Sequence, residues 1–180
     1  MDKQTIRKKY LEIRKNINNK ELKSSVIFNQ IINAKEYQNA KVIAMYKNLK
    51  SEVSTDALID YSLNVGKIIA LPRVTNDSLS FYKITNDSKL IKSNFGVQEP
   101  ISNDNDYIYP DNIDLIIIPG VCFDKNKNRL GFGKGYYDKY LENTKIKRIG
   151  ICFTEQLVDE IPITENDIKM DLIITDKEII

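Results

Sequence analysis

"IDLIIIPG" (113–120) is followed at 129–138 by "RLGFGKGYYD". The four aliphatic residues Leu115 to Ile118, closed by Pro119 and Gly120, are too short a run for a helix and read as a buried strand. In the second stretch Gly131, Gly133 and Gly135 alternate with Phe132 and Lys134, and a helix is predicted to begin near Tyr136 and run to Asn143. Strand, long loop and helix in that order form one unit of an α/β chain.

Working outward, the same unit recurs. Ile6, Tyr10, Ile13 and Ile17 recur at helical spacing and predict a helix over 2–17. A second helix is expected from about Lys20 to Asn33. "KVIAMYK" (41–47) reads as a strand, and "STDALIDYSLNV" (54–65) as a helix capped by Ser54 or Thr55. "KIIALPRV" (67–74) reads as a strand that Pro72 ends, and "LSFYKIT" (79–85) as another. Residues 86–112, rich in Asn, Asp and Ser, read as loop with at most one short element. "KRIGICF" (147–153) and "DLIITD" (171–176) complete the set as buried strands. The expectation is α/β: a single-domain three-layer sandwich over 1–180, with a mainly parallel central sheet and helices on both faces. Ligands of such sheets bind beyond the carboxyl ends of the strands, which is where the glycine loop falls.

Composition narrows the chemistry. The 180 residues are 42% hydrophobic and 29% charged, with a net charge of +2. That balance does not argue for nucleic acid. There is no histidine, so Ser-His-Asp and Cys-His nucleophile systems and Cys/His zinc sites are excluded. Cys122 and Cys152 read as small buried hydrophobes of a reducing compartment. The apolar runs are far below a membrane span and the first fifteen residues contain none. The reading is a cytoplasmic monomer without membrane or nucleic-acid partners.

The glycine loop fits neither familiar phosphate fingerprint. Lys134 is followed by Gly135 and not Ser or Thr, and the spacing is G-x-G-x-G. The three glycines still allow positive φ and close backbone approach, so successive N–H groups can cradle an anion. Arg129 and Lys134 add charge. Asp138 can cap the following helix or hold a Mg²⁺ that bridges phosphate oxygens. In the first helix Lys3, Arg7 and Arg14 fall within roughly 40° of one another beside the apolar stripe. That stripe is either solvated or cleft-facing. Glu52 and Glu99, taken singly, read as surface carboxylates.

The stretch "PGVCFDKNKNRLGFGKGYYDKYL" (119–141) closely resembles the signature of the 5-formyltetrahydrofolate cyclo-ligase family. "KQTIR" (3–7), "SEVSTDALI" (51–59), "LPRV" (71–74) and "FGVQEP" (95–100) resemble its other motifs, in the same order. The chain departs from the pattern at Cys122 for Ala, at Lys139 for Arg, and at Asn166-Asp167 for a His-Asp pair. The resemblance implies ATP- and Mg²⁺-dependent conversion of 5-formyltetrahydrofolate, also as polyglutamates, to 5,10-methenyltetrahydrofolate. It implies that Lys3, Arg7, Arg129, Gly131, Gly133, Lys134, Gly135, Tyr136 and Tyr137 contact ATP, with Lys134 and Arg129 catalytic. It implies that Lys47, Glu52, Phe132, Gly133, Lys134, Gly135 and Tyr136 border the folate, Glu52 accepting from the pterin. It assigns Asp138 and Asp167 to the metal. Two other classes compete: a nucleotide-binding module that has lost turnover, and an RNA binder using the basic first helix.

Overall fold

The structure, a computed structural model, describes residues 1–94 and 96–180. Phe95, the first residue of the "FGVQEP" stretch, lies outside them. Helix α1 (Lys3–Asn16) starts at Asp2, whose carboxylate accepts from the Gln4 and Thr5 amides. Helices α2 (Lys20–Asn33) and α3 (Lys35–Asn39) lead into strand β1 (Val42–Ala44). Helix α4 (Asp56–Asn64) precedes β2 (Ile68–Thr75) and β3 (Ser78–Ile84). The polar middle, expected to hold at most one short element, has three strands among the described residues, β4 (Leu90–Lys92), β5 (Gln98–Pro100) and β6 (Tyr107–Ile108); β4 pairs with β5 and β6 with β3, long-range pairings that local periodicity does not reveal. Then come β7 (Leu115–Pro119), β8 (Cys122–Asp124), β9 (Arg129–Leu130), α5 (Tyr136–Leu141), β10 (Lys147–Ile151), β11 (Leu157–Val158) and β12 (Leu172–Ile174).

Seven strands form the central sheet in the order β12-β10-β7-β1-β2-β3-β6. From β12 to β2 all neighbours are parallel, whereas β3 and β6 are antiparallel additions. Period-two alternation in β7 shows why both faces need cover. Leu115 and Ile117 join the core formed with α2, α3 and α4, through Ile27, Ile31, Tyr37, Leu58 and Ile59. Ile116 and Ile118 point the other way, into the core closed by Leu141 of α5. The α/β expectation with a mainly parallel sheet and helices on both faces therefore holds. Helix α1 stands apart from the sheet: Ile6 and Tyr10 pack on Val121, Cys122, Leu130 and Ile161.

Three further local expectations fail for identifiable reasons. Pro72 does not end β2, which continues to Thr75. Pairing with β1 stops at Ala70, so a missing N–H at Pro72 costs that side nothing, while Pro72 sits opposite Phe81 of β3. The stretch from Val121 to Gly135 is not only loop. It contains the β8–β9 hairpin, with β11 beside β8, in a separate three-stranded sheet. Thr55 stands at the head of α4, but its hydroxyl donates to the Tyr46 carbonyl (2.6 Å) and caps nothing.

Candidate active site

A cleft of about 530 Å³ opens beyond the carboxyl ends of β1, β2 and β7. Tyr46 and Lys47 enter it after β1, Pro72 and Val74 from β2, and Pro119 from β7. Helix α1 contributes Lys3 and Arg7 across the mouth, and the 129–138 segment supplies one wall. Every residue that the sequence singled out for the site lines this cleft: Lys3, Arg7, Lys47, Glu52, Arg129, Gly131 to Asp138, and Asp167. Its size is that of a small-molecule site.

The wall is held by charge. The Arg129 guanidinium donates to Asp138 Oδ2 (2.9 Å) and lies over the Tyr137 ring. Asp138 Oδ1 accepts from the Ile168 amide (3.2 Å), so Asp138 ties the loop to the 164–168 segment and does not cap α5. Lys3 pairs with Asp167, which also accepts from the Thr164 amide and hydroxyl. Burial alone would raise the Asp167 carboxyl, but Lys3 and Thr164 outweigh it and hold the group below its ordinary value. Lys47 pairs with Asp56 at the head of α4 (2.8 Å). Arg7 donates from Nε to the Gly131 carbonyl (2.8 Å). Among the described residues Arg7 and Lys134 have no carboxylate partner.

The glycines divide by reason. Gly133 (φ 99°) and Gly135 (φ 68°) occupy the left-handed region. Gly131 does not, contrary to expectation. A Cβ there would meet the Arg129 guanidinium at 2.7 Å, so the constraint is space. A Cβ on Gly133 would stand 3.3 Å from the Arg7 guanidinium carbon. The loop thus keeps its backbone bare beside an unpaired cation, which suits a phosphate-bearing ligand. Helix α5 is only six residues long, so its dipole adds little to that charge.

Glu52 forms part of the floor. One oxygen accepts from the Leu49 amide (2.8 Å), the other from Arg14 (3.3 Å). Burial pushes its carboxyl up, against the opposing pull of Arg14. A carboxylate in a buried floor is a hydrogen-bond acceptor for a ligand rich in N–H groups.

Among the described residues no three His, Cys, Asp or Glu side chains gather as a metal cage. Asp138 and Asp167 both line the cleft beside Lys3 and Arg129. One or two carboxylates completed by phosphate oxygens and water are the usual holders of Mg²⁺, so this donor set fits that ion.

The family model for the 5-formyltetrahydrofolate cyclo-ligase family matches residues 1–176. The chain belongs to that family. A 5-formyltetrahydrofolate cyclo-ligase of Mus musculus is 32% identical over 164 residues, covering 83% of this chain and 81% of its own. A probable cyclo-ligase of Schizosaccharomyces pombe is also 32% identical, over 86% and 84%. The NMR structure of the Aquifex aeolicus 5,10-methenyltetrahydrofolate synthetase superposes with a TM-score of 0.87 at 32% identity, covering 99% of this chain and 92% of that one. The Mycoplasma pneumoniae synthetase gives 0.79 at 29%, covering 98% and 100%.

Within this cyclo-ligase fold, several cleft residues escaped the sequence. Glu99 is not a surface carboxylate. It lines the cleft, and burial raises its carboxyl despite nearby Arg73. Tyr46, Leu49, Val74, Leu79 and Val97 supply apolar wall; Val74 and Val97 stand within "LPRV" and "FGVQEP", where no role was read for them, and no short motif announces the other three. Arg14 is neither solvated nor cleft-facing: it is 2% exposed, beneath the floor. Asn166, the departure from the family's histidine, is exposed and outside the cleft lining.

Proposed function

We propose that this chain is a single-domain, ATP- and Mg²⁺-dependent 5-formyltetrahydrofolate cyclo-ligase, releasing 5,10-methenyltetrahydrofolate, ADP and phosphate. The observation that carries the reading is one cleft joining a bare glycine loop, two cations without carboxylate partners, and a buried acceptor carboxylate. Arg7, Lys134 and the amides of Gly131 to Tyr137 hold the triphosphate. Lys3 and Arg129, already bound to Asp167 and Asp138, orient those carboxylates toward the same ligand. Glu52 accepts from the pterin, while Lys47 and Phe132 to Tyr136 border the folate.

The substrate supplies both nucleophiles, so the chemistry needs no histidine, and the chain has none. The formyl oxygen attacks the γ-phosphorus and the bond to ADP breaks. N10 then closes on the activated carbon and gives up its proton to solvent, and phosphate departs with the former formyl oxygen. Lys134 stabilises the charge on the transferring phosphoryl group, and Arg129 fixes the wall that positions it. Asp138 and Asp167 would hold Mg²⁺, which would offset phosphate charge. The test is the near-ultraviolet absorbance of the methenyl product, followed with 5-formyltetrahydrofolate and Mg²⁺, with and without ATP. ATP-dependent growth of that band is the expected result. No band from folded protein that still binds ATP would favour a binding module without turnover.

A further inference from the structure

We propose that Arg14 is the positioning residue of the cleft floor: a single buried guanidinium keeps Glu52 in its acceptor form and seats Phe132 of the glycine loop beside it. The proposal rests on the reading of Glu52 as the pterin acceptor.

Arg14 comes from the last turn of α1, yet the side-chain contacts it makes among the described residues are distant in sequence. One amino group donates to Glu52 Oε1 and to the Gly120 carbonyl, both at 3.3 Å. The guanidinium carbon lies 5.2 Å from the centre of the Phe132 ring. Phe132 is 49% exposed on the cleft wall. One cation therefore touches the floor, the end of β7 and the loop.

Stability alone is a poor reason for this arrangement. Buried ion pairs contribute little relative to apolar residues of the same volume. Arg14 Nε is buried without a hydrogen-bond partner among the described residues, which is a cost. The Gly120 carbonyl does not depend on Arg14, because Gln156 also donates to it (3.1 Å). What depends on Arg14 is Glu52. Among the described residues the charged or titratable groups facing that carboxylate are Arg14 from α1, Tyr46 beyond β1 and Tyr137 from α5. Burial pushes both tyrosines up, so they remain neutral, and Arg14 is the opposing charge. Without it, a desolvated Glu52 takes up a proton, and a protonated carboxyl offers the pterin one acceptor fewer.

The experiment is calorimetric binding of 5-formyltetrahydrofolate from about pH 6 to 8.5, with ¹³C NMR titration of the Glu52 carboxyl as a readout independent of ligand. The proteins are wild type, Arg14→Lys, Arg14→Met, Glu52→Gln and Arg14→Met/Glu52→Gln. Expected are flat wild-type affinity and a loss of about tenfold toward low pH in Arg14→Met, with the Glu52 titration moved up into that pH range. Arg14→Lys, which keeps the charge without the fork, should fall between. The pH dependence should vanish in the double variant. Equal weakening at every pH, a limb that survives in the double variant, or an unmoved Glu52 titration would each overturn the proposal. Wild-type protein that fails to bind the folate would remove the reading of Glu52 instead, and the carboxyl titration would still decide the role of Arg14.

Discussion

Lys134 and Arg7 carry the positive charge that the cleft leaves uncompensated, since Lys3, Lys47 and Arg129 each face a carboxylate. A phosphoryl group in transfer should feel those two most. Lys134→Ala is expected to lower kcat by about 10²-fold while the folate KM changes little. Steady-state kinetics with each substrate varied would check this; turnover near wild type would remove Lys134 from the chemistry. Glu52→Gln should do the reverse, raising the folate KM by about tenfold or more with a smaller effect on kcat. At this scale the sequence was legible where a motif named residue types and blind where burial decided. The Arg129-to-Asp138 loop could be read because its glycines and charges are contiguous. Arg14 could not, because a cation on a charged helix face looks solvated until β7 and the glycine loop are folded over it.

Among the elements, the β8–β9 hairpin was the least legible, since "VCFDKNKNRL" carries the Asp, Asn and Lys of a turn but too little alternation to announce strands. It is held by Asp124, which is fully buried and accepts from the amides of Asn126, Asn128 and Ile161. Phe123, also fully buried, fills the space between the hairpin and the sheet. Its ring would lie 2.5 Å from a Cβ on Gly120 and 2.4 Å from a Cβ on Gly150. Neither glycine has a positive φ, so what they provide is room. Gly150→Ala should therefore destabilise the protein by about 1–3 kcal/mol through overpacking. The urea midpoint would report it, and an unchanged midpoint would mean that the ring has space to move. By contrast α2 runs from Lys20 to Asn33 as the sequence reads, because its apolar spacing is local information.

For the whole molecule, the sheet order and the antiparallel β3 and β6 lay beyond pattern reading, because strand adjacency is a long-range property. Two outcomes test the assembly as a unit. Asp176 joins three distant parts: it accepts from the Thr154 amide (2.7 Å) and hydroxyl (3.0 Å) and faces Lys23 of α2 at 3.4 Å. Burial would raise its carboxyl, but Thr154 and then Lys23 outweigh it and hold it below the ordinary value. Its contribution is therefore complete above the unfolded value of about 3.9 and is lost as pH falls through the lower folded value. Asp176→Asn should cost about 1–3 kcal/mol near neutrality and flatten the acid limb below about pH 4. Denaturant midpoints across pH would show it, and an unchanged acid limb would contradict the assignment. The second outcome is ligand linkage. 5-Formyltetrahydrofolate at about 100 times its Kd should raise Tm by about 5–10 °C, and by less in Glu52→Gln at the same concentration.

Helix α1 has a consequence for how the chain is made. Its apolar side rests on Val121, Cys122, Leu130 and Ile161, and its Lys3 on Asp167. On a ribosome the helix emerges before all of them. At about 5–20 residues per second, its greasy stripe waits roughly 10–30 s for a surface to cover it. A nascent chain stalled before Val121 would present a basic amphipathic helix with nowhere to dock, an apt handle for chaperones, and would have no glycine-loop wall to its cleft.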